Sequence, residues 1–323
     1  MAVDAAAGRA ASFADLYEAL ATNVARVIQG KDDAVDLAIC CLVAQGHLLV
    51  EDVPGVGKTT LAKALATSID VPFGRIQFTP DLLPTDVIGV SVWDRQAERF
   101  EFRPGPIFAN VVLADEVNRA SPKTQAALLE AMAEQQVTVD GTTHHLPPPF
   151  LVIATQNPLD HEGTYPLPES QLDRFLLRIS MGYPDRDAEL RILEGQGGDP
   201  DAITLDPVLT AGQVNGMVAA ARTVRVDPAL QGYLVDLATA SRRHPLVRIG
   251  MSPRATLALQ RVARARAATR GRSYVTPDDI KVLAGPVLAH RLRLRGGSAS
   301  ADAADGVVAE LLAEVPVPVV AAT

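Results

Sequence analysis

Cysteine is nearly missing from this chain: only Cys40 and Cys41 occur, side by side in an apolar run. Adjacent cysteines are poorly placed to bridge each other, so a disulfide framework is excluded and a reducing, cytoplasmic compartment is the expected setting. Aromatic residues are scarce, 4% of the chain, which disfavours the broad stacking surfaces that hold single-stranded nucleic acid. Positive charge is not in excess either. A net charge of −8 and a pI near 5.3 count against nucleic acid as the main partner, because phosphate backbones demand a strong positive field. No segment reaches the roughly 20 apolar residues of a membrane helix, so no membrane insertion is expected. Met1–Ala11 carries Asp4 and Arg9, lacks the apolar stretch of a signal peptide and reads as a frayed tail.

What is present suits a soluble globular protein of two domains, since 323 residues exceed one ordinary core. Ser12 and Asp15 have capping-box spacing, and Leu16, Leu20, Val24 and Val27 recur at helical intervals, predicting a first helix to about Ile28. Gly30 breaks it. Val35, Ala38, Ile39 and Leu42 mark a second helix ending near Gly46, and His47–Val50 reads as a short buried strand. Further apolar runs at Arg75–Phe78, Val111–Ala114, Phe150–Ala154 and Phe175–Met181 alternate with helical stretches, the pattern of a parallel sheet with crossover helices. Ser121-Pro122 caps the helix that contains Ala126–Met132. After Gly182-Tyr183-Pro184 the strand signals stop, so the expected division is an α/β domain over 1–183 and a helical domain over 184–323. Within the latter, Gly195–Asp201 reads as a turn and Gly296–Ala304 as a small-residue linker.

The chemistry concentrates just after the first strand. Asp52-Val53-Pro54-Gly55-Val56-Gly57-Lys58-Thr59 opens the helix expected over Thr60–Thr67, where backbone N–H groups and a helix N-terminus can cradle phosphate. Lys58 would reach the β- and γ-phosphates of ATP, and Thr59 would ligate Mg2+. The general pattern asks for Gly where this chain has Asp52. A second string, Val111–Glu116, is a buried strand ending in two carboxylates: Asp115 would hold Mg2+ through its water shell, and Glu116 would polarise the attacking water.

With both strings in hand, the chain resembles the AAA+ ATPases, and among them the MoxR family. The resemblance is carried by Leu49–Thr59, Leu113–Ala120, Ala154–Pro158 and Gly163–Glu169, and it spans about residues 13 to 315. Asp52 belongs to the similar string. The resemblance implies a P-loop core with a parallel sheet flanked by helices, an all-α lid, and a ring, usually a hexamer, with ATP held between subunits. It implies that Asn157 is the first sensor, orienting water beside Glu116. Arg174 looks like the arginine finger that reaches a neighbouring subunit's γ-phosphate, with Arg178 as its rival. Arg254, after Ser252-Pro253, resembles the second sensor, contacting the γ-phosphate and coupling it to the lid. Val27, Ile28 and Gly30 fall where the family packs adenine, although helix-end packing explains them nearly as well. The nucleotide contacts therefore run from Asp52 to Thr60, with these three added. Thr85–Phe102 and Gln136–Leu146 resemble two inserted hairpins, either projecting toward a pore or partner or serving as packing elements.

The six histidines show no spacing that builds a tetrahedral metal site. Arg261, Arg264, Arg266, Arg270 and Arg272 fall partly on one helical face, where a subunit contact or a solvated face is the expected reading. The function implied is ATP-driven remodelling, assembly or activation of a partner protein. By resemblance that partner can be a von Willebrand factor A domain protein, with metal insertion as one outcome. A metal-chelatase motor subunit, a DNA-remodelling motor and a nucleotide-gated scaffold are the rival readings.

Overall fold

A computed structural model describes residues 12–157, 164–184, 186–195, 205–295 and 301–318. The expected tail over 1–11, Pro158, Gly163, most of the turn over 195–201 and the first part, 296–300, of the linker expected over 296–304 lie outside the described residues, and the rest of that linker belongs to a helix, Ala301–Glu314.

The chain opens with α1 (Phe13–Ala25) and α2 (Asp32–Val43), followed by β1 (Leu48–Glu51), α3 (Lys58–Ser68) and β2 (Phe73–Gln77). A short α4 (Pro84–Ile88) leads into the hairpin β3 (Gly89–Asp94) and β4 (Arg99–Pro104). Next come β5 (Val111–Asp115), α5 (Pro122–Glu134), a second hairpin of β6 (Gln136–Val139) and β7 (Thr142–His145), then β8 (Leu151–Gln156), α6 (Glu169–Leu172) and β9 (Leu177–Ile179). The C-terminal part of the chain comprises α7 (Arg186–Gly195), α8 (Ala211–Thr223), α9 (Pro228–Arg243), β10 (Val247–Ile249), α10 (Pro253–Thr269), α11 (Pro277–Leu288), β11 (Arg293–Leu294) and α12 (Ala301–Glu314).

Five strands form one parallel sheet in the order β2-β5-β8-β1-β9. Both faces are covered at the centre of the sheet, which is why β1, β5 and β8 are continuous apolar runs while the edge strands β2 and β9 alternate. The period of two still sorts the side chains. Leu48, Val50, Leu113 and Ile153 join the core beneath α1, α2 and α3, whereas Leu49, Val112, Ala114 and Val152 join a second core with α5. The first core continues without a break into the lid through Val214, Leu230 and Leu259.

Local sequence explains most boundaries. Ser12 and Asp15 form the capping box at the start of α1, each side chain accepting from the other's backbone N–H. The helix stops at Ala25, earlier than expected, and a tightened turn carries the chain to Ile28. Asp140 and Gly141 both have positive φ, the conformation that a two-residue hairpin turn requires. The lid is helical as expected, with one small addition: β10 and β11 pair as an antiparallel ladder too short to register as a strand pattern.

Candidate functional site

Parallel strands place every strand C-terminus on one edge of the sheet, and the loop between β1 and α3 lies there beside the crossover between β8 and β9. Gly55 and Gly57 hold it in shape, with φ of 86° and 94°. At Gly55 a Cβ would meet nothing within 4 Å, so backbone conformation rather than space requires glycine. The first turn of α3 has no side-chain cap, which leaves its N–H groups to face the loop. Lys58 Nζ donates to the carbonyl oxygen of Asp52 at 2.9 Å, a neutral partner that phosphate oxygens can replace. Thr59 and Thr60 follow on the same turn, half-buried.

Asp52, expected among the nucleotide contacts, directs its side chain to protein partners. Its carboxylate is buried and turned toward the end of β9, where Oδ2 accepts from Ser180 Oγ at 3.0 Å, Met181 N at 2.6 Å and Gly182 N at 2.7 Å. Val56 is likewise a buried core residue. Val53 is half-buried against that core, while Pro54 and Gly55 are exposed. Of the expected adenine-side residues, Ile28 is buried, and its Cδ1 would lie 3.8 Å from a Cβ at Gly57, as would Met181 Cε. Val27 packs on the core, and Gly30 turns the chain with a φ of 67°.

Asp115 ends β5 on the same edge. Its Oδ1 accepts from Thr155 Oγ1 at 2.6 Å and its Oδ2 pairs with Arg75 at 2.8 Å. The hydroxyl of Thr155, fully buried, in turn accepts from Glu116 N at 2.9 Å. Glu116 has φ 56° and ψ 51°, an uncommon conformation for a residue with a side chain. Its Oε2 accepts from Gln77 Nε2 at 3.0 Å and pairs with Arg119 at 3.1 Å. Asn157, one residue beyond β8, is buried. Lys58, Thr59, Asp115, Glu116 and Asn157 are thus brought to one edge over three neighbouring strands. Sequence reasoning missed Arg75, Gln77 and Thr155. The signal available for the first two was their i, i+2 spacing at the end of an expected strand.

The arginines lie elsewhere. Arg178 is nearly enclosed, paired with Glu51 at 3.4 Å and with Asp305 of α12 at 3.0 Å. Burial pushes the Glu51 carboxyl up from its ordinary value, with Arg178 opposing. Arg174 follows α6, and its guanidinium donates to the carbonyl of Leu129 on α5. Arg254 begins α10 as expected, but its Nε lies 3.6 Å from Asp173 Oδ2 and the side chain is 62% exposed. Asp173 and Arg174 precede β9, at the strand-N-terminal edge, the end of the sheet opposite Lys58. Arg254 therefore turns to the Asp173 end of the sheet rather than to the phosphate loop of its own protomer. Arg291 anchors the edge, reaching Asp173 Oδ1 at 2.8 Å and the carbonyl of Leu176 at 3.1 Å. His47 completes it: Nδ1 accepts from Val152 N and Nε2 donates to the Met132 carbonyl, and burial pulls its pKa from 6.5 to about 4.

The arginine run on and just after α10 is partly solvated, with Arg261 and Arg270 exposed and Arg264, Arg266 and Arg272 half-buried. Arg266 and Arg272 pair with the fully buried Asp279, and Arg270 reaches Asp36 on α2 at 3.3 Å. The two hairpins meet each other: the Phe102 and His144 rings stack with centroids 4.0 Å apart. At the far end of the first hairpin, Trp93 and Phe100 stand exposed in edge contact.

Known proteins share this arrangement. The family described as "ATPase family associated with various cellular activities (AAA)" matches residues 47–177, and "AAA lid domain" matches 239–312. The protein YeaC of Bacillus subtilis is 49% identical over 92% of this chain and 93% of its own length. Chaperone MoxR1 of Mycobacterium tuberculosis is 43% identical, covering 84% of this chain and 74% of that protein. Protein MoxR of Methylorubrum extorquens is 33% identical over 84% and 86%. A crystal structure described as that of an ATPase from Cytophaga hutchinsonii superposes with a TM-score of 0.85 at 36% identity, over 95% of this chain and 96% of that one.

Proposed function

The chain belongs to the MoxR family of AAA+ ATPases, enzymes that hydrolyse ATP, and from that footing we propose that its ATPase site is completed between subunits of a ring, a hexamer, that remodels or activates a partner protein. One observation carries the reading. Lys58, Asp115, Glu116 and Asn157 lie at one edge of the sheet, while Arg174 and Arg254 lie at the other, so a head-to-tail contact between copies would bring the two sets together.

The residues at the first edge fit Mg-ATP. Glycines with positive φ, an uncapped helix start and a lysine resting on a replaceable carbonyl suit a triphosphate. Thr59 and Asp115 would hold Mg2+, which neutralises charge on the β- and γ-phosphates when bound. In the proposed sequence Lys58 leaves the Asp52 carbonyl for phosphate. Glu116 then leaves Gln77 and takes a proton-sharing hydrogen bond from the attacking water, with Asn157 orienting the same water. The neighbour's Arg174 would meet charge spreading over the transferred group, with Arg254 beside it. Arg178 is a poor candidate for that role because two carboxylates already enclose it.

Motion of core against lid would then act on a client in the cytoplasm. No described helix is long and apolar enough to cross a membrane. A von Willebrand factor A domain protein is the proposed client class, and that step rests on the family resemblance alone. The test is steady-state ATPase activity against protein concentration, with size-exclusion light scattering on the same samples and Glu116→Gln as control. Activity that rises with assembly and vanishes in the control supports the reading; equal specific activity in monomer and assembly overturns the shared site.

A further inference from the structure

The family resemblance accounts for an aspartate at position 52 without saying what it does. Position 52 does not need glycine's conformational freedom, because the positive-φ residues of the loop are Gly55 and Gly57. The residue is 7% exposed and its carboxylate accepts four hydrogen bonds. Three converge on Oδ2 from Ser180 Oγ, Met181 N and Gly182 N, and one reaches Oδ1 from Val53 N at 3.1 Å. Successive backbone N–H groups aimed at one anion form a concave nest, and Gly182, with φ 62°, supplies the left-handed residue that shapes it. These three donors span the exit of β9, shortly before α7 begins at Arg186.

The same junction touches the loop twice more. Met181 lies against Gly57 at the start of α3, and Lys31 Nζ donates to the carbonyl of Tyr183 at 2.5 Å. Meanwhile the main chain of Asp52 carries the carbonyl on which Lys58 rests. One residue therefore holds the phosphate-binding lysine by its backbone and the first residues of the lid connection by its side chain. A charge-assisted cluster of this kind is stiff, because moving any donor leaves a buried carboxylate short of a partner.

We infer that Asp52 is a positioning residue that couples occupancy of the phosphate loop to the setting of the lid, an inference that rests on the loop being the nucleotide site. Transfer of Lys58 from the Asp52 carbonyl to phosphate alters the residue's backbone, and the carboxylate passes the change to Ser180–Gly182. The general glycine at this position has no side chain with which to do so.

The test uses the full chain labelled at Glu130→Cys on α5 and Asp236→Cys on α9, both exposed, with the core-to-lid distance read by paired spin labels. Cys40 and Cys41 are buried and stay unlabelled. ATP binding, kcat and KM are measured on the same protein. The expected result is a distance change on adding ATP that Asp52→Gly loses, with ATP affinity kept within about threefold and kcat lowered about tenfold or more. Asp52→Asn keeps an oxygen able to accept from Met181 and Gly182 and should restore most of the change. If Asp52→Gly does not fold, Ser180→Ala, which removes one donor, should reduce the distance change and kcat while leaving KM unchanged. Wild-type protein that fails to bind ATP overturns the nucleotide reading and the coupling with it. Wild-type protein that binds ATP without a distance change, or variants that move and turn over as wild type does, overturn the coupling alone.

Discussion

The two edges of the central sheet are built on different principles. At the strand-C-terminal edge, outside the stiff Asp52 cluster, polar groups rest on partners that can be exchanged: Lys58 on a carbonyl, Glu116 on Gln77, Asp115 on a half-exposed Arg75. At the strand-N-terminal edge they are locked, with neutral His47 and buried Arg291 each bonded to backbone groups of more than one element. What the contrast teaches is a division of labour. One edge carries groups whose partners a ligand could replace, and the other carries Arg174 on the Leu129 carbonyl and Arg254 beside Asp173.

The comparison breaks most sharply at the receiving edge. Glu116→Gln should keep ATP binding and lower the hydrolysis rate by roughly 10²–10⁴-fold, the scale of a lost general base. Lys58→Ala should weaken ATP binding itself by about tenfold or more, through loss of charge-assisted bonds to phosphate. Equilibrium binding and single-turnover rates on both variants separate these outcomes, and equal loss of binding in both contradicts the assigned roles. Neither change should lower Tm much, because neither partner set is part of the core.

The holding edge should respond in stability instead. Arg291→Ala strips a buried guanidinium from Asp173 and from backbone carbonyls, and should cost about 3 kcal/mol in a denaturant titration. The pH dependence there has a definite sign. Burial lowers the His47 pKa from 6.5 to about 4, so the unfolded chain binds a proton in that window while the folded one does not. Stability should be full above pH 6.5 and fall as pH drops toward 4, by up to about 1.4 kcal/mol per unit. Buried His290, also lowered by burial, adds the same sign. Tm measured from pH 7.5 to 5 should therefore decline less steeply in His47→Gln than in wild type. The smallest effect belongs to Arg75→Ala. That pair is half-exposed on the arginine side, and its loss should change stability by less than about 1 kcal/mol.

How much of this could be read beforehand follows the same division. Gly55, Gly57, Lys58, Thr59, Asp115 and Glu116 sit in two short strings, each beside a strand, and were legible because their chemistry is local. The parallel sheet was legible too, from apolar runs spaced by helices. Arg75, Gln77 and Thr155 were not: the i, i+2 spacing puts Arg75 and Gln77 on one strand face, but it is the register of β2 and β8 on β5 that brings all three to the acids. The ion pairs of the arginine run are hidden in the sequence because the partners are distant: Asp279 lies 13 residues from Arg266, and Asp36 lies 234 from Arg270. Arg254 shows the limit most clearly. Its place at the head of a lid helix was readable, but the edge of the sheet it faces depends on how α10 docks.

The most direct test of the divided site mixes Arg174→Ala protein with Glu116→Gln protein, each inactive alone, and measures ATPase activity while native mass spectrometry counts mixed rings. Recovery of activity in proportion to mixed interfaces is the predicted result, since an intact Glu116 then meets an intact Arg174 across some contacts. Mixed rings that remain inactive would contradict a site shared between subunits.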